Sequence, residues 1–157
     1  MFIIEGDLMA TVIVLGGCGE VGSVAVRSLA AQPDFERVII GDINVERANE
    51  LADDIGRNKV GVQKVDAMDR ASIATAIDGC DLVLNCVGPF YKTVKNVIET
   101  VIQAGINYVD VCDDVDVTLE ILELDKNAKE AGVTALIGMG SSPGVTNILG
   151  AFAANAT

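Results

Sequence analysis

The sequence of 157 residues predicts an α/β fold, a doubly wound parallel sheet of six strands in three layers, with helices on both faces. Short, continuously apolar runs alternate along the chain with longer segments whose apolar residues recur at helical spacing. Half of the residues are hydrophobic but only 4% are aromatic, so we expect an aliphatic core. Most of the 16 glycines fall where one predicted element gives way to the next. Strands this apolar are typical of a parallel sheet that is buried on both faces.

The first half of the chain contains three predicted strand–helix pairs. The strands are predicted at 10–16, 37–42 and 59–66, and the helices that follow them at 19–32, 44–56 and 70–78. The first helix is expected to stop before Pro33, because proline cannot continue the helical hydrogen bonds. Asp69 is the expected cap of the third helix, since its carboxylate can accept from a backbone N–H of the first turn.

The second half repeats this alternation, with strands predicted at 81–87, 106–112 and 133–138. Pro89 opens the first helix of this half, a position that proline favours. The next helix is predicted at 115–131, and a final helix begins near Pro143. We expect the strand order 3-2-1-4-5-6, with right-handed crossovers.

The chain is strongly acidic, with a formal net charge of −12. Nucleic acids and anionic membranes both require basic patches, so neither is an expected partner. No apolar run approaches the roughly 20 residues of a membrane span. One dense acidic cluster stands before a predicted helix, at Asp110, Asp113, Asp114 and Asp116. We interpret it as solvated loop carboxylates, with a metal site as the open alternative.

The four cysteines, Cys18, Cys80, Cys86 and Cys112, form no C-x-x-C pair, and the chain has no histidine. Neither a zinc site nor a disulfide framework is predicted, and a reducing cytoplasm is the expected location. The first eight residues, MFIIEGDL, are too short and too acidic for a signal peptide, and we interpret them as a leader before an alternative start at Met9. Residues 9–157 are therefore expected to form one domain.

The most informative segment is TVIVLGGCGEVG at 11–22, an apolar strand that breaks into glycines and leads into a helix. Gly17, Gly19 and Gly22 have the G-x-G-x-x-G spacing that receives a dinucleotide pyrophosphate in a Rossmann fold. We expect a positive φ at Gly17 for the tight turn, close backbone approach to the phosphates at Gly19, and close packing of helix on strand at Gly22.

The remaining candidate cofactor-binding residues follow from the rule that ligands bind at the carboxyl ends of parallel strands. Asp42 ends strand two and is expected to accept from the adenosine ribose hydroxyls, which favours NAD and leaves NADP open through the nearby Arg47. Asp66 ends strand three, near the expected position of the adenine. The full predicted set is Gly17, Gly19, Glu20, Val21, Gly22, Asp42, Asp66, Cys86, Val87 and Gly88, with Glu20 and Val21 supplying N–H groups.

Each feature also has an alternative interpretation. The glycine loop could be only a turn, and Asp42 could only cap the next helix. Cys18 is interpreted as a small loop residue, although a thiol at a helix N-terminus can become reactive through a lowered pKa. The glycines also have the spacing G-x-x-G-x-x-G from Gly16, and Tyr91 and Lys95 form a Y-x-x-x-K pair, and both features are similar to those of the short-chain dehydrogenases. The pair opens the helix after strand four, however, whereas that family carries it after strand five.

With these segments placed, the chain resembles the cofactor-binding domain of the saccharopine dehydrogenase family over roughly residues 11–150. The resemblance is carried, in order, by VIVLGGCGEVGSVAV at 12–26, NCVGPF at 85–90, NYVDVCDD at 107–114 and IGMGSSPGVTN at 137–147. It implies a pyridine-nucleotide oxidoreductase that acts on a C–N bond of an amino acid derivative.

The resemblance also implies where the cofactor and the substrate lie. The nicotinamide would lie near residues 86–89, and Asp110, Gly138 and the loop 141–143 would border the substrate cleft. In this family a second domain binds substrate and forms the dimer, and we expect it to be absent from this chain. No catalytic residue is assigned, so the chain is expected to bind cofactor without turnover. The alternative is a stand-alone nucleotide-sensing module without catalytic activity.

Overall fold

A computed structural model describes residues 10–156, and the expected leader lies outside the described residues. It confirms the predicted fold: one six-stranded parallel sheet in the order β3-β2-β1-β4-β5-β6. The strands are β1 (Ala10–Leu15), β2 (Phe35–Asp42), β3 (Val60–Lys64), β4 (Leu82–Asn85), β5 (Asn107–Asp110) and β6 (Ala135–Leu136).

Within residues 10–156, seven α-helices connect or follow these strands. They are α1 (Glu20–Ala30), α2 (Val45–Ile55), α3 (Arg70–Ile77), α4 (Phe90–Ala104), α5 (Val115–Leu122), α6 (Asp125–Glu130) and α7 (Thr146–Asn155). A helical turn at Ser141–Val145 leads into α7. The cap predicted at Asp69 is confirmed, since its side chain accepts from the N–H of Ala71 at 2.9 Å.

The prediction of one helix at 115–131 is wrong, because α5 and α6 are separate. Between them the N–H groups of Glu123 and Leu124 donate to carbonyls three residues earlier, at 3.3 and 3.1 Å. Such bonds close a tighter turn than the α-helix, and the helical ladder is interrupted there.

The strands predicted at 81–87 and 106–112 are too long, and the physical reason is the same for both. Asn85 and Asp110 each accept, through the side chain, from the N–H two residues later, at 3.0 Å in both cases. This side-chain turn diverts the backbone from the ladder, so β4 and β5 end at these two residues. The strand predicted at 133–138 is reduced to the two residues of β6.

The core lies on both faces of the sheet and is aliphatic, as predicted. Under α1 and α2, fully buried residues include Val12, Val14, Val26, Val38, Ile40, Ala48 and Ala52. On the opposite face α4 contributes the largest share, with Val94, Val97, Ile98, Val101 and Ile102 packed against Ile13, Leu15 and Val83. The centre of the sheet is therefore rigidly packed, and the loops at its carboxyl edge inherit fixed positions.

The helix α7 differs from the others because none of its residues is buried. Its large apolar side chains and that of the preceding Val145 are exposed: Val145, Ile148, Leu149 and Phe152. Within residues 10–156, no helix is both long enough and apolar enough to cross a membrane.

Candidate functional site

A cavity of about 270 Å³ opens at the carboxyl ends of β1, β2 and β4. This is the point where the strand order reverses, between β1 and β4, and it is the usual ligand position in such sheets. The cavity is lined by Leu15, Gly16, Gly19, Gly41, Asp42, Ile43, Val65, Ala67, Cys86, Val87 and Gly88. Its walls therefore come from the glycine turn, from the end of β2, from the segment after β3 and from the loop after β4.

The glycine turn reaches its shape in a different way from the one predicted. The positive φ, +71°, lies at Gly16 and not at Gly17. A Cβ on Gly16 would also lie 2.9 Å from the carbonyl oxygen of Cys86, so only glycine suits both the conformation and the space. Gly17 is required by space alone, since its Cβ would approach the carbonyl oxygen of Val14 to 2.7 Å.

The first four backbone N–H groups of the turn, at 16–19, are used inside the protein. Two of them donate to the carbonyl oxygen of Gly41, at 2.8 and 3.3 Å. That of Cys18 donates to the carboxylate of Asp42 at 3.2 Å, and that of Gly19 donates to the carbonyl oxygen of Gly16 at 3.0 Å. The turn is thus fixed to β2 by its own main chain.

The next three N–H groups, of Glu20, Val21 and Gly22, belong to the first turn of α1. Helix geometry gives such groups no carbonyl partner, and Gly19 at the N-cap has no side chain to accept from them. By contrast, Asn44 caps α2 through its side chain, which accepts from the N–H of Arg47 at 3.1 Å. The start of α1 therefore presents donors and the positive end of the helix dipole to an anion.

Asp42 stands at the cavity wall with its carboxylate fixed in place. One oxygen accepts from the N–H of Cys18 at 3.2 Å, and the other accepts from the N–H of Asn44 at 3.0 Å. A carboxylate has about four acceptor positions, so these two bonds leave capacity for hydroxyl donors of a ligand. Among residues 10–156, no lysine or arginine forms an ion pair with Asp42.

Asp66 lies beside the cavity, between two lining residues, Val65 and Ala67. Its carboxylate accepts from the N–H of Met68 at 2.9 Å, and its own N–H donates to the hydroxyl of Ser72, also at 2.9 Å. These bonds shape the turn that brings the apolar Val65 and Ala67 against the cavity.

The loop after β4 forms the opposite wall, with Cys86, Val87 and Gly88. Burial, followed by the charge of Asp110, raises the pKa of the Cys86 thiol to about 11. Burial and the neighbouring Asp42 likewise raise the pKa of Cys18 to about 11, so the alternative of a reactive thiol with a lowered pKa is wrong. Both thiols stay protonated near neutral pH, and neither is an activated nucleophile.

Of the ten predicted cofactor-binding residues, Gly19, Asp42, Cys86, Val87 and Gly88 line the cavity. The others lie in the adjoining turn and helix start or, for Asp66, between lining residues. The sequence prediction missed six lining residues, Leu15, Gly16, Gly41, Ile43, Val65 and Ala67. For Gly16 the sequence does carry a signal, because this residue begins the second glycine spacing, G-x-x-G-x-x-G, that ends at Gly22.

Other candidate residues lie elsewhere. Asp110, which the resemblance places at the substrate cleft, is fully buried. The acidic segment does not form a metal site in the described part of the chain, since within 10–156 no group of three or more metal-ligating side chains is found. Tyr91 is 64% exposed, and Lys95 pairs with Glu120 at 3.5 Å. Neither Tyr91 nor Lys95 lines the cavity, so the short-chain dehydrogenase interpretation gains no support from this pair.

Comparison with known proteins decides the family. Residues 12–136 match the family described as the saccharopine dehydrogenase NADP binding domain. The chain belongs to this family. The predicted resemblance is thereby confirmed, and the chain is a nicotinamide dinucleotide-binding domain of saccharopine dehydrogenase-like oxidoreductases.

Individual relatives agree with this assignment. The chain is 31% identical to carboxyaminopropylagmatine dehydrogenase of Synechocystis over 92% of its own length. It is 28% identical to carboxynorspermidine synthase of Vibrio cholerae over 88% of its length. The chain spans 38% of the length of each of these two relatives.

A solved structure agrees at the level of the fold. The apo form of the saccharopine dehydrogenase (L-Glu forming) of Saccharomyces cerevisiae is similar with a TM-score of 0.75 and 23% identity, over 87% of this chain and 28% of that one. A short-chain dehydrogenase/reductase family protein is less similar, with a TM-score of 0.58 and 18% identity, over 84% of this chain and 75% of that one.

Proposed function

We propose that this saccharopine dehydrogenase-type domain binds NAD(H) in the cavity at the carboxyl ends of β1, β2 and β4, and serves an oxidoreductase that acts on a C–N bond of an amino acid derivative. One observation carries the proposal: the uncapped start of α1 and the fixed carboxylate of Asp42 border the same cavity. Anion donors and a hydroxyl acceptor are the two groups that the pyrophosphate and ribose of a dinucleotide require.

The proposed pose follows from the walls of the cavity. The pyrophosphate accepts from the N–H groups of Glu20, Val21 and Gly22, and the adenosine ribose donates to Asp42. The nicotinamide then lies toward Cys86, Val87 and Gly88, at the switch between β1 and β4. The chain's own contribution is to bind and orient the cofactor; when bound, the nicotinamide supplies the hydride chemistry.

The preference for NAD(H) over NADP(H) rests on Asp42. Its negative charge would face the 2′-phosphate of NADP, and the ion pairs within 10–156 bring no cation to it. The family description names NADP and so supports the opposite preference. Arg47 follows Asp42 by five positions in the sequence and is the candidate cation for a 2′-phosphate.

The substrate class rests on the relatives, whose names refer to carboxylated agmatine and norspermidine derivatives and to saccharopine. We propose that residues 9–157 act as the cofactor domain, and that substrate binding and dimer formation belong to a second domain. No catalytic residue is proposed within this chain, and we expect no turnover of an amino acid substrate by it alone. The four free cysteines fit the proposed location in the reducing cytoplasm.

The test is a titration of the 157-residue chain with NADH and with NADPH, followed by nicotinamide fluorescence. Wild type is expected to bind NADH about tenfold more tightly than NADPH, because a hydrogen bond to a charged group contributes about 1.5–3 kcal/mol. In Asp42→Asn this ratio should fall to about one, since the acceptor charge and the repulsion of the 2′-phosphate are both removed.

The matched control is Asp34→Asn, which removes the same charge just before the opposite end of β2. It should leave the NADH/NADPH ratio unchanged. Tighter binding of NADPH by wild type would overturn the preference and leave the site intact. Binding of neither cofactor would overturn the proposed function.

A further inference from the structure

A continuous chain of hydrogen bonds is buried beneath the nicotinamide end of the cavity. The amide Nδ2 of Asn85 donates to the hydroxyl of Tyr108 at 3.0 Å, and this hydroxyl donates to Oδ2 of Asp110 at 2.9 Å. All three residues are fully buried, with 0% relative exposure. Three polar side chains inside an aliphatic core are costly unless every group is paired, and here each one is.

The sheet register brings these residues together. Asn85 and Asp110 are direct neighbours on the adjacent strands β4 and β5, and Tyr108 precedes Asp110 by two residues. Residues two apart on a strand lie on the same face, so the three side chains share one side of the sheet. The arrangement is therefore built by strand pairing and not by a flexible loop.

Each end of this network holds a loop. Oδ1 of Asn85 accepts from the N–H of Val87 at 3.0 Å and so fixes the cavity wall after β4. Oδ1 of Asp110 accepts from the N–H of Cys112 at 3.0 Å and from that of Gly138 at 2.8 Å.

The contact with Gly138 matters because β6 pairs with β5 through only two residue pairs. Beyond this short ladder, Asp110 holds the chain with two groups. Its carboxylate accepts from the N–H of Gly138, and its main-chain carbonyl accepts from the N–H of Met139 at 2.8 Å. The loop that follows is compact, since a Cβ on Gly144 would lie 2.7 Å from the carbonyl carbon of Met139. Asp110 thus replaces the missing strand pairs.

We propose that Asn85, Tyr108 and Asp110 are positioning residues that tie the cavity wall at 86–88 to the loop 138–144 and thereby set the binding geometry of the nicotinamide half of the cofactor. The proposal rests on the proposed function, because it uses the nicotinamide position given there. The three residues touch no cofactor atom themselves. They act through the backbone of Val87 and Gly138.

Within residues 10–156, the side-chain hydrogen bonds of the network end at Val87, Cys112 and Gly138 and do not reach the groups that hold the adenosine half. The glycine turn is held by Gly41, and Asp42 is held by Cys18 and Asn44. A break in the network should therefore weaken binding of the nicotinamide half alone. General destabilisation would weaken binding of both halves.

The experiment compares NADH with ADP-ribose, which lacks the nicotinamide. In Tyr108→Phe the ring packing is kept and the hydroxyl is lost, which leaves Asn85 Nδ2 and Asp110 Oδ2 without their partner. We expect the Kd for NADH to rise about fivefold or more, while the Kd for ADP-ribose changes less than about twofold. Binding is measured by NADH fluorescence and by competition with ADP-ribose.

The control is Val38→Ala, which opens a small cavity in β2 on the opposite face of the sheet, under α1 and α2, and lowers stability without removing a polar contact. It should leave the ratio of the two Kd values unchanged. Should Tyr108→Phe fail to fold, Asp110→Asn serves instead, because it keeps one side-chain oxygen for the N–H groups and removes the acceptor of the Tyr108 hydroxyl.

The outcomes separate the two proposals. If wild type binds NADH and Tyr108→Phe weakens both ligands equally or neither, the positioning role is overturned and the proposed function stands. If wild type binds neither NADH nor ADP-ribose, the proposed function fails and the positioning role fails with it.

Discussion

In the first half of the sheet the loop after β1 is held mostly by main-chain groups, whereas in the second half the loops after β4 and β6 are held mostly by buried side chains. Gly16 and Gly17 donate to the carbonyl of Gly41, and positions that lack a Cβ let the backbones meet. On the other side, Asn85 and Asp110 reach from strand ends to the N–H groups of their loops.

The proposed pose gives a reason for the difference, because each half would bind a different part of the cofactor. A pyrophosphate is recognised by backbone N–H groups, so the loop that holds it must bring bare backbone close to the ligand, and glycine is selected by geometry. In the proposed pose the larger and flatter nicotinamide lies against 86–88, where Cys86 and Val87 carry side chains. Such a wall needs support from beneath, which the Asn85–Tyr108–Asp110 network provides.

The largest expected effect is that of Gly22→Ala, which disrupts the glycine turn after β1. A Cβ on Gly22 would overlap the carbonyl of Gly16, which is backbone and cannot rotate away as a side chain would. We expect a loss of stability of about 1–3 kcal/mol and a loss of NADH binding of about a hundredfold or more, measured by urea unfolding and fluorescence titration.

Gly150→Ala provides the comparison, because Gly150 also lies in a helix but its Cβ would meet nothing within 4 Å. That variant should gain about 0.5–1 kcal/mol and bind NADH like wild type. Equal binding by Gly22→Ala and Gly150→Ala would show that the glycine turn does not hold the cofactor.

The second prediction concerns pH and the side-chain-held half. The pKa of Cys86 is raised from 9.0 to about 11 in the folded protein by burial and by Asp110. The unfolded chain therefore loses this proton first, so the stabilisation is complete below pH 9 and is lost as pH rises toward 11. Between pH 9 and 11, titration of the Cys86 thiol should lower the free energy of unfolding by about 1.4 kcal/mol per pH unit.

Urea unfolding of wild type and Cys86→Ala at pH 8, 9, 10 and 11 measures this contribution. The unfolding free energy of wild type minus that of Cys86→Ala should be constant below pH 9. Above pH 9 this difference should fall, because only wild type carries the thiol. A difference that does not change with pH would show that the Cys86 thiol titrates in the folded protein as it does in the unfolded chain.

The smallest expected effect concerns Glu20, whose carboxylate stands in the first turn of α1 beside the proposed pyrophosphate position. Glu20→Gln should bind NADH about twofold more tightly at low salt, and the gain should vanish at high salt, because exposed charges are screened. Glu46→Gln makes the same change in the first turn of α2 and should have no effect on binding. A gain of equal size in both variants would assign the effect to net charge alone.

The same contrast explains what the sequence could predict. The strand order, the glycine turn, the cap at Asp69 and Asp42 at the cavity wall all follow from local spacing or from the rule for strand ends. Gly16 was missed as the residue of positive φ because two adjacent glycines fit the motif, and only the packing against Cys86 decides between them.

The second half could be predicted less well, because its structure depends on contacts between residues distant in sequence. Tyr108 and Asn85 are 23 positions apart, and Gly138 is 28 positions from Asp110. No local pattern shows these pairs before the strand register is known. The side chains of Asn85 and Asp110 also accept from the N–H two residues later, and these turns end β4 and β5 earlier than predicted.

The most direct measurement of the central claim is a titration of the isotope-labelled chain with NADH, followed by the amide shifts of each residue. The account predicts the largest shifts at Glu20, Val21 and Gly22 and at residues 86–88, on the two sides of one cavity. The amino end of the sheet, at Arg37 and Lys59, should not respond. Shifts centred there, or no shifts at saturating NADH, would contradict the account.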